Sequence, residues 1–143
     1  MAKYSSIFAA NIGCAMVIEE TNTVLYRMVN DDLLEMVYKD NAFLDVKETA
    51  ENHHLYFDIT REVKSMKRLI ILGKNMTVSS EARLLCQKFD KEEEHRIKAQ
   101  AIVAQCYLGR VLSYVYFKMF TPKYPNKVFV NKQKATEWLM QIN

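Results

Sequence analysis

The chain has 143 residues, half of them hydrophobic and 26% charged, a balance that suits one globular domain with one core and excludes a disordered chain. Gly (3) and Pro (2) are too scarce for Gly-rich phosphate cradles or long loops. No apolar run approaches the ~20 residues that span a bilayer. The net charge of +3 is unevenly spread: no Asp or Glu lies between His95 and Thr136, whereas Asp31, Asp32, Glu35, Asp40, Asp45, Glu48 and Glu51 crowd the middle. Such a division predicts a bipolar molecule if the two sets occupy separate faces.

Residues 1–20 read as a leader or loosely ordered extension, and residues 21–143 as a single α/β domain. Ile7 to Ile18 is only mildly apolar and is interrupted by Asn11, a poor match to a signal peptide. Val24 to Val29 and Leu33 to Tyr38 are β-rich runs around Asn30-Asp31-Asp32, which predicts a hairpin. Asp45 and Glu48 have capping-box spacing and open a helix over residues 45–58. Arg68 to Gly73 is a short apolar run of the kind that forms a central strand buried on both faces. Ser79 is the expected N-cap of the next helix, and residues 90–95 read as a charged connection.

Residues 98–104 predict a second central strand, and residues 108–120 a strongly apolar helix stopped by Pro122. Leu108, Val111, Leu112, Val115 and Met119 form its stripe, expected to face the core or a partner. A strand over residues 127–130 and a helix over residues 132–142, with Ala135, Trp138 and Leu139 inward, end the chain. The resulting fold class is α/β, a mixed sheet of about five strands with a parallel core and about four helices.

Three segments carry a resemblance to a known family: Leu69-Ile-Ile-Leu72 with Thr77-Val-Ser-Ser-Glu-Ala-Arg83, Ala101-Ile-Val103 before an apolar helix, and Pro122-Lys-Tyr-Pro-Asn-Lys-Val-Phe129 with Ala135-Thr-Glu-Trp-Leu139. Together with the element order they resemble the bacterial STAS-like domains, the fold of anti-sigma-factor antagonists, in the branch also compared with the CRAL-TRIO lipid-binding fold. The resemblance spans about residues 24–142. It implies a cytoplasmic regulatory module that docks a protein partner or itself. The CRAL-TRIO comparison implies as an alternative a small-molecule or lipid carrier, with its pocket under the helix over 108–120. In the antagonists a Ser beside an Asp at the matching helix start is phosphorylated. Here Thr77, Ser79 and Ser80 stand there without an Asp directly before the serines, and Leu72-Gly73-Lys74 replaces the usual acidic strand end.

The candidate phosphorylation or docking residues are therefore Thr77, Ser79 and Ser80; capping alone also accounts for Ser79. Tyr114, Tyr116, Phe117 and Phe120 are candidates for an interface or pocket wall. Arg110, Lys118, Lys123 and Lys127 are candidates for an anion-binding patch, for an acidic protein or anionic lipid; nucleic-acid binding is disfavoured because the rings read as core. His53 and His54 are adjacent, so they point to different sides of a helix and make no metal pair. Cys14, Cys86 and Cys106 have no metal or disulfide spacing. No nucleophile is framed by a base and no cofactor motif appears, so the sequence predicts no enzyme and no cofactor.

Overall fold

The computed structural model describes the backbone of residues 6–11 and 14–143 and the side chains of residues 18–143 apart from Phe117 and Met119. In chain order the strands and helices are β1 (Ser6–Asn11), β2 (Cys14–Glu20), β3 (Val24–Asn30), β4 (Leu33–Tyr38), β5 (Phe43–Leu44), α1 (Val46–Thr60), β6 (Met66–Ile71), β7 (Thr77–Val78), α2 (Ser80–Glu93), β8 (Ile97–Val103), α3 (Tyr107–Met119), β9 (Asn126–Phe129) and α4 (Lys132–Met140). A seven-stranded sheet runs β1-β2-β3-β4-β6-β8-β9, and β5 pairs with β7 separately. The first four strands are antiparallel neighbours; β4, β6, β8 and β9 are parallel. The mixed sheet with a parallel core and four helices is the expected class. It is wider than expected because the segment before residue 21 supplies β1 and β2, where the sequence suggested a leader.

Each crossover in the parallel half moves one strand further from β3. Right-handed connections of that kind put α1, α2 and α3 on one face. The helix α4 follows the last strand and returns over the other. Side-chain alternation separates two cores accordingly. Met66 and Ile70 of β6 join Tyr26, Leu34, Met36, Leu55 and Tyr56 on the α1 side. Leu69 and Ile71 join Ala99, Ala101, Val103, Ala135 and Leu139 on the α4 side, with Phe129 and Trp138 packed against them. The small side chains of β8 on that side allow α4 to sit close.

Local signals set the helix starts. Asp45 Oδ1 accepts from the Glu48 amide at 2.8 Å and Ser79 Oγ from the Ala82 amide at 3.1 Å, each satisfying a donor that the first turn leaves open. Gly73 is required where β6 ends, since a Cβ there would lie 2.2 Å from the Lys39 carbonyl oxygen. The predicted charged connection after Asp90 is instead the last turn of α2 and a 3-10 turn over Glu94–Arg96.

Arg96 is the reason that turn is ordered. It is buried, and its Nε donates to both carboxylate oxygens of Glu93, at 2.9 and 3.0 Å. Nη1 donates to the carbonyls of Thr60 and Val63, at 2.7 and 2.9 Å, and Nη2 to Thr60 Oγ1 at 2.8 Å and to Glu93 Oε1. One guanidinium thus caps the carbonyl end of α1, closes α2 and begins β8. Removing it takes the cation from the buried Glu93 carboxylate and its donor from the Val63 carbonyl, while the Thr60 carbonyl keeps only the Val63 amide. We expect Arg96→Met to lower unfolding free energy by about 3 kcal/mol or more, and Arg61→Ala, which breaks the exposed Arg61–Asp58 pair, by less than about 1 kcal/mol. Urea denaturation of the two variants checks the contrast.

Candidate functional site

Two features stand out on the face carrying α1, α2 and α3. The first is a buried polar cluster around Arg68. Alternation along β6 turns Arg68, between Met66 and Ile70, into the α1 side, where it is 3% exposed. Its Nη2 donates to Asp90 Oδ1 of α2 at 3.2 Å and to the Tyr124 hydroxyl at 3.1 Å. Its cation lies 5.9 Å from the Tyr56 ring centroid and 6.0 Å from that of Tyr124. Asp90 Oδ2 accepts from the Tyr116 hydroxyl of α3 at 2.7 Å. Burial works against the Arg68 cation, but Tyr56, Asp90 and Tyr124 outweigh it and hold its pKa above the ordinary value. Burial pushes the hydroxyls of Tyr56 and Tyr124 up to about 12, so both are neutral at physiological pH.

Beside this cluster is a cavity of about 100 Å³, enclosed by β3, β4 and β6 below and by α1 and α2 above. His53 and Phe89 stack across the two helices with ring centroids 3.6 Å apart and planes within 7°. His53 is therefore half-buried, whereas His54 is exposed, 3.7 Å from Asp58. Burial lowers the His53 pKa from its ordinary 6.5, against an upward pull from Glu93, Glu92 and Asp90. Burial, with Asp90 nearby, pushes the Cys86 thiol up to about 12.

The second feature is α3. Most of the stripe expected to face the core or a partner faces solvent: Leu108, Leu112 and Val115 are exposed, as are Tyr107 and Tyr114, at 75% and 60%, while Val111 is half-buried and the Met119 side chain lies outside the described residues. The side turned to the protein carries Gly109, Ser113 and Tyr116. Ser113 Oγ donates to the Gly109 carbonyl at 2.8 Å, and a Cβ on Gly109 would touch Cys106, Ala104 and Leu72 at 3.4–3.8 Å. A side chain as small as alanine would therefore fit at position 109, and the Tyr116–Asp90 hydrogen bond, rather than burial of the aliphatic side chains, sets the rotation of the helix.

The candidates from sequence therefore separate. Tyr114 faces solvent, Tyr116 is anchored inward, and Phe120 packs edge-on against Tyr116 at 6.2 Å. The Phe117 side chain lies outside the described residues. Arg110 covers the Tyr107 ring and Lys118 is exposed on the same helix. Lys123 is in the loop beyond, its amide donating to Glu94 Oε2 at 3.2 Å. Lys127 leaves the group: it shares its side of β9 with Phe129, covers that ring at 5.3 Å, and so belongs to the α4 face. Ser79 is the N-cap of α2, Ser80 is exposed as its first residue, and Thr77 is exposed in β7 opposite Phe43.

The pocket expected under α3 is a cavity of about 160 Å³ at the start of that helix, where the strand ends at Tyr38, Leu72 and Ala104 meet Cys106 and Gly109. It is smaller than the roughly 300 Å³ at which drug-sized ligand sites begin. Among the described residues no group of His, Cys, Asp or Glu is arranged to hold a metal ion, and no helix is long and apolar enough to cross a membrane.

A family model described as a domain of unknown function, DUF7793, matches residues 27–143. The chain belongs to that family. No curated protein matches it. Among solved structures it is similar to an uncharacterised protein of the DUF3478 family from Shewanella loihica PV-4, described as having a SpoIIAA-like fold. The two share 15% identity with a TM-score of 0.57, over 97% of this chain and 95% of the other. That likeness shows the STAS-like fold and carries no site residue across.

Two solution properties follow from the cluster. Because the folded His53 binds its proton less readily than the unfolded chain does, its contribution is complete above about pH 6.5 and is lost as pH falls through and below that value. The melting temperature should therefore fall between about pH 7 and pH 5 more steeply in the wild type than in His53→Phe, which retains a ring to stack on Phe89. Iodoacetamide at mildly alkaline pH should alkylate the exposed Cys106 in the native protein, and Cys86 only after denaturation. Peptide mass mapping distinguishes the two sites.

Proposed function

We propose that this chain is a non-catalytic regulatory module that docks a protein partner through the outer face of α3. The observation that carries the reading is the row Tyr107, Leu108, Leu112, Tyr114 and Val115, large apolar side chains on adjacent turns that all face solvent. Side chains at these spacings form one continuous strip, and a strip of that size is the usual mark of an interaction surface. Its two tyrosines are of the residue types enriched at interfaces.

Charge selects the partner. Arg110 flanks the strip and Lys118 closes its last turn, and no carboxylate lies in the sequence between His95 and Thr136. Two copies meeting through this face in a twofold arrangement would set the basic pair Arg110 and Lys118 of one copy against the same pair of the other. An amphipathic segment of another protein, apolar along its centre and acidic along its rim, is complementary in both respects. The STAS-like fold supports a docking role at the level of architecture.

A photo-crosslinking amino acid at position 112 identifies the partner in the native host, and the purified pair then decides the matter by calorimetry. Leu112→Glu should weaken binding at least tenfold, by the usual cost of a charge placed centrally in an apolar contact. Leu84→Glu, on the exposed side of α2, should leave it unchanged. Added salt should weaken the wild-type complex. If both glutamate variants bind like the wild type, or if the crosslink joins only copies of this chain, the reading is wrong.

A further inference from the structure

The helix α3 carries two rows of side chains, either of which has the spacing of an inward face. Gly109, Ser113 and Tyr116 form the row turned to the protein, and Leu108, Leu112 and Val115 the row turned to solvent. Each residue of the second row immediately precedes one of the first. Both rows step by four and then by three, the spacing that keeps side chains on one side of a helix. One residue corresponds to about 100° of rotation. A roll by that angle therefore exchanges Gly109 for Leu108, Ser113 for Leu112 and Tyr116 for Val115. It replaces a mixed row by an aliphatic one, the usual inward choice for a helix that covers a core.

The surroundings accept such a roll. The cavity of about 160 Å³ beside Gly109 lies where Leu108 would enter. Truncating one buried leucine can leave a cavity of about 150 Å³, so a leucine side chain fits there. Ser113 Oγ donates to the Gly109 carbonyl, a partner on its own helix that turns with it. The Asp90 side chain is 22% exposed, so water can reach the oxygen that Tyr116 would leave, while Arg68 keeps the other. The hydrogen bond from the Tyr116 hydroxyl to Asp90 Oδ2 opposes the roll. We propose that α3 has two seats on the sheet, one residue of rotation apart, and that the Tyr116–Asp90 hydrogen bond is the latch that selects the seat with the aliphatic row outside. In the other seat Leu108, Leu112 and Val115 are covered, so release of the latch dismantles the exposed strip. The bearing of this switch on docking rests on the function proposed above; the two seats do not.

Alkylation of a thiol placed in either row tests this in the full chain without a partner. Leu112→Cys puts a thiol in the outer row and Ser113→Cys one in the inner row, with the exposed Cys106 as internal reference. With Tyr116 present, iodoacetamide should modify the first quickly and the second slowly. Adding Tyr116→Phe removes the hydroxyl and keeps the ring. A hydrogen bond to a carboxylate weighs about tenfold or more in an equilibrium of this kind. The Leu112→Cys thiol should therefore slow and the Ser113→Cys thiol quicken, each by about threefold or more. Adding Leu108→Gln, which makes the aliphatic row unfavourable to bury, should restore the original order in the Tyr116→Phe background. Unchanged rates in Tyr116→Phe, faster alkylation at both positions (as a locally melted helix would give) or no restoration by Leu108→Gln would each overturn the proposal. None of these outcomes involves the docking partner, whose binding is judged separately through Leu112→Glu.

Discussion

The face that carries three of the four helices is organised around the buried pairing of Arg68 with Asp90. Arg68 stands on a central strand, Asp90 on α2, Tyr56 beneath the guanidinium on α1, and Tyr124 in the loop that leads to β9. Tyr116 brings in α3 through the second oxygen of the same carboxylate. A cation in that position needs partners in several directions, and each partner belongs to a different element. Ionic groups buried this way contribute less to net stability than their number suggests, because desolvation offsets much of the attraction. Their effect here is geometric: they specify where each helix must stand.

The orientation of α3 shows what that specification costs in burial. A helix placed by its aliphatic residues would turn Leu108, Leu112 and Val115 inward. In this protein Asp90 holds Tyr116, and the aliphatic row is left in solvent. The opposite face of the sheet follows ordinary rules. There α4 lies on Ala99, Ala101 and Val103 with Ala135 and Leu139 fully buried. One sheet thus supports an aliphatic layer on one side, with Glu35 paired to Arg27 and Lys132 beside it, and a layer organised by Arg68 and Asp90 on the other. The second knot, Arg96 with Glu93 and the end of α1, fastens the polar side at its far edge.

Much of the architecture was legible in the residues. Asn30-Asp31-Asp32 marked the β3–β4 hairpin, Asp45 and Ser79 marked helix starts, and Ala135, Trp138 and Leu139 marked the inward side of α4, because each acts through its near neighbours. The N-terminal strands were missed, since strand pairing gains its stability from a neighbour rather than from the strand itself. Asp90 was read as part of a charged connection. The signal for Arg68 was present all the same: it alternates with Met66 and Ile70, so one residue of a buried face had to be a cation in need of a partner.

By itself, the sequence determined the element order, the fold class, the parallel core and the helix caps, all of which follow from periodicity and local hydrogen bonding. Only the tertiary structure decided which carboxylate meets Arg68, which side of α3 faces out, and that Lys127 belongs to a different face from Arg110 and Lys118. Those outcomes depend on contacts between residues as far apart as Arg68 and Tyr124. A spacing rule reports which side chains share a face. It does not report which of two faces a buried ion pair will draw inward.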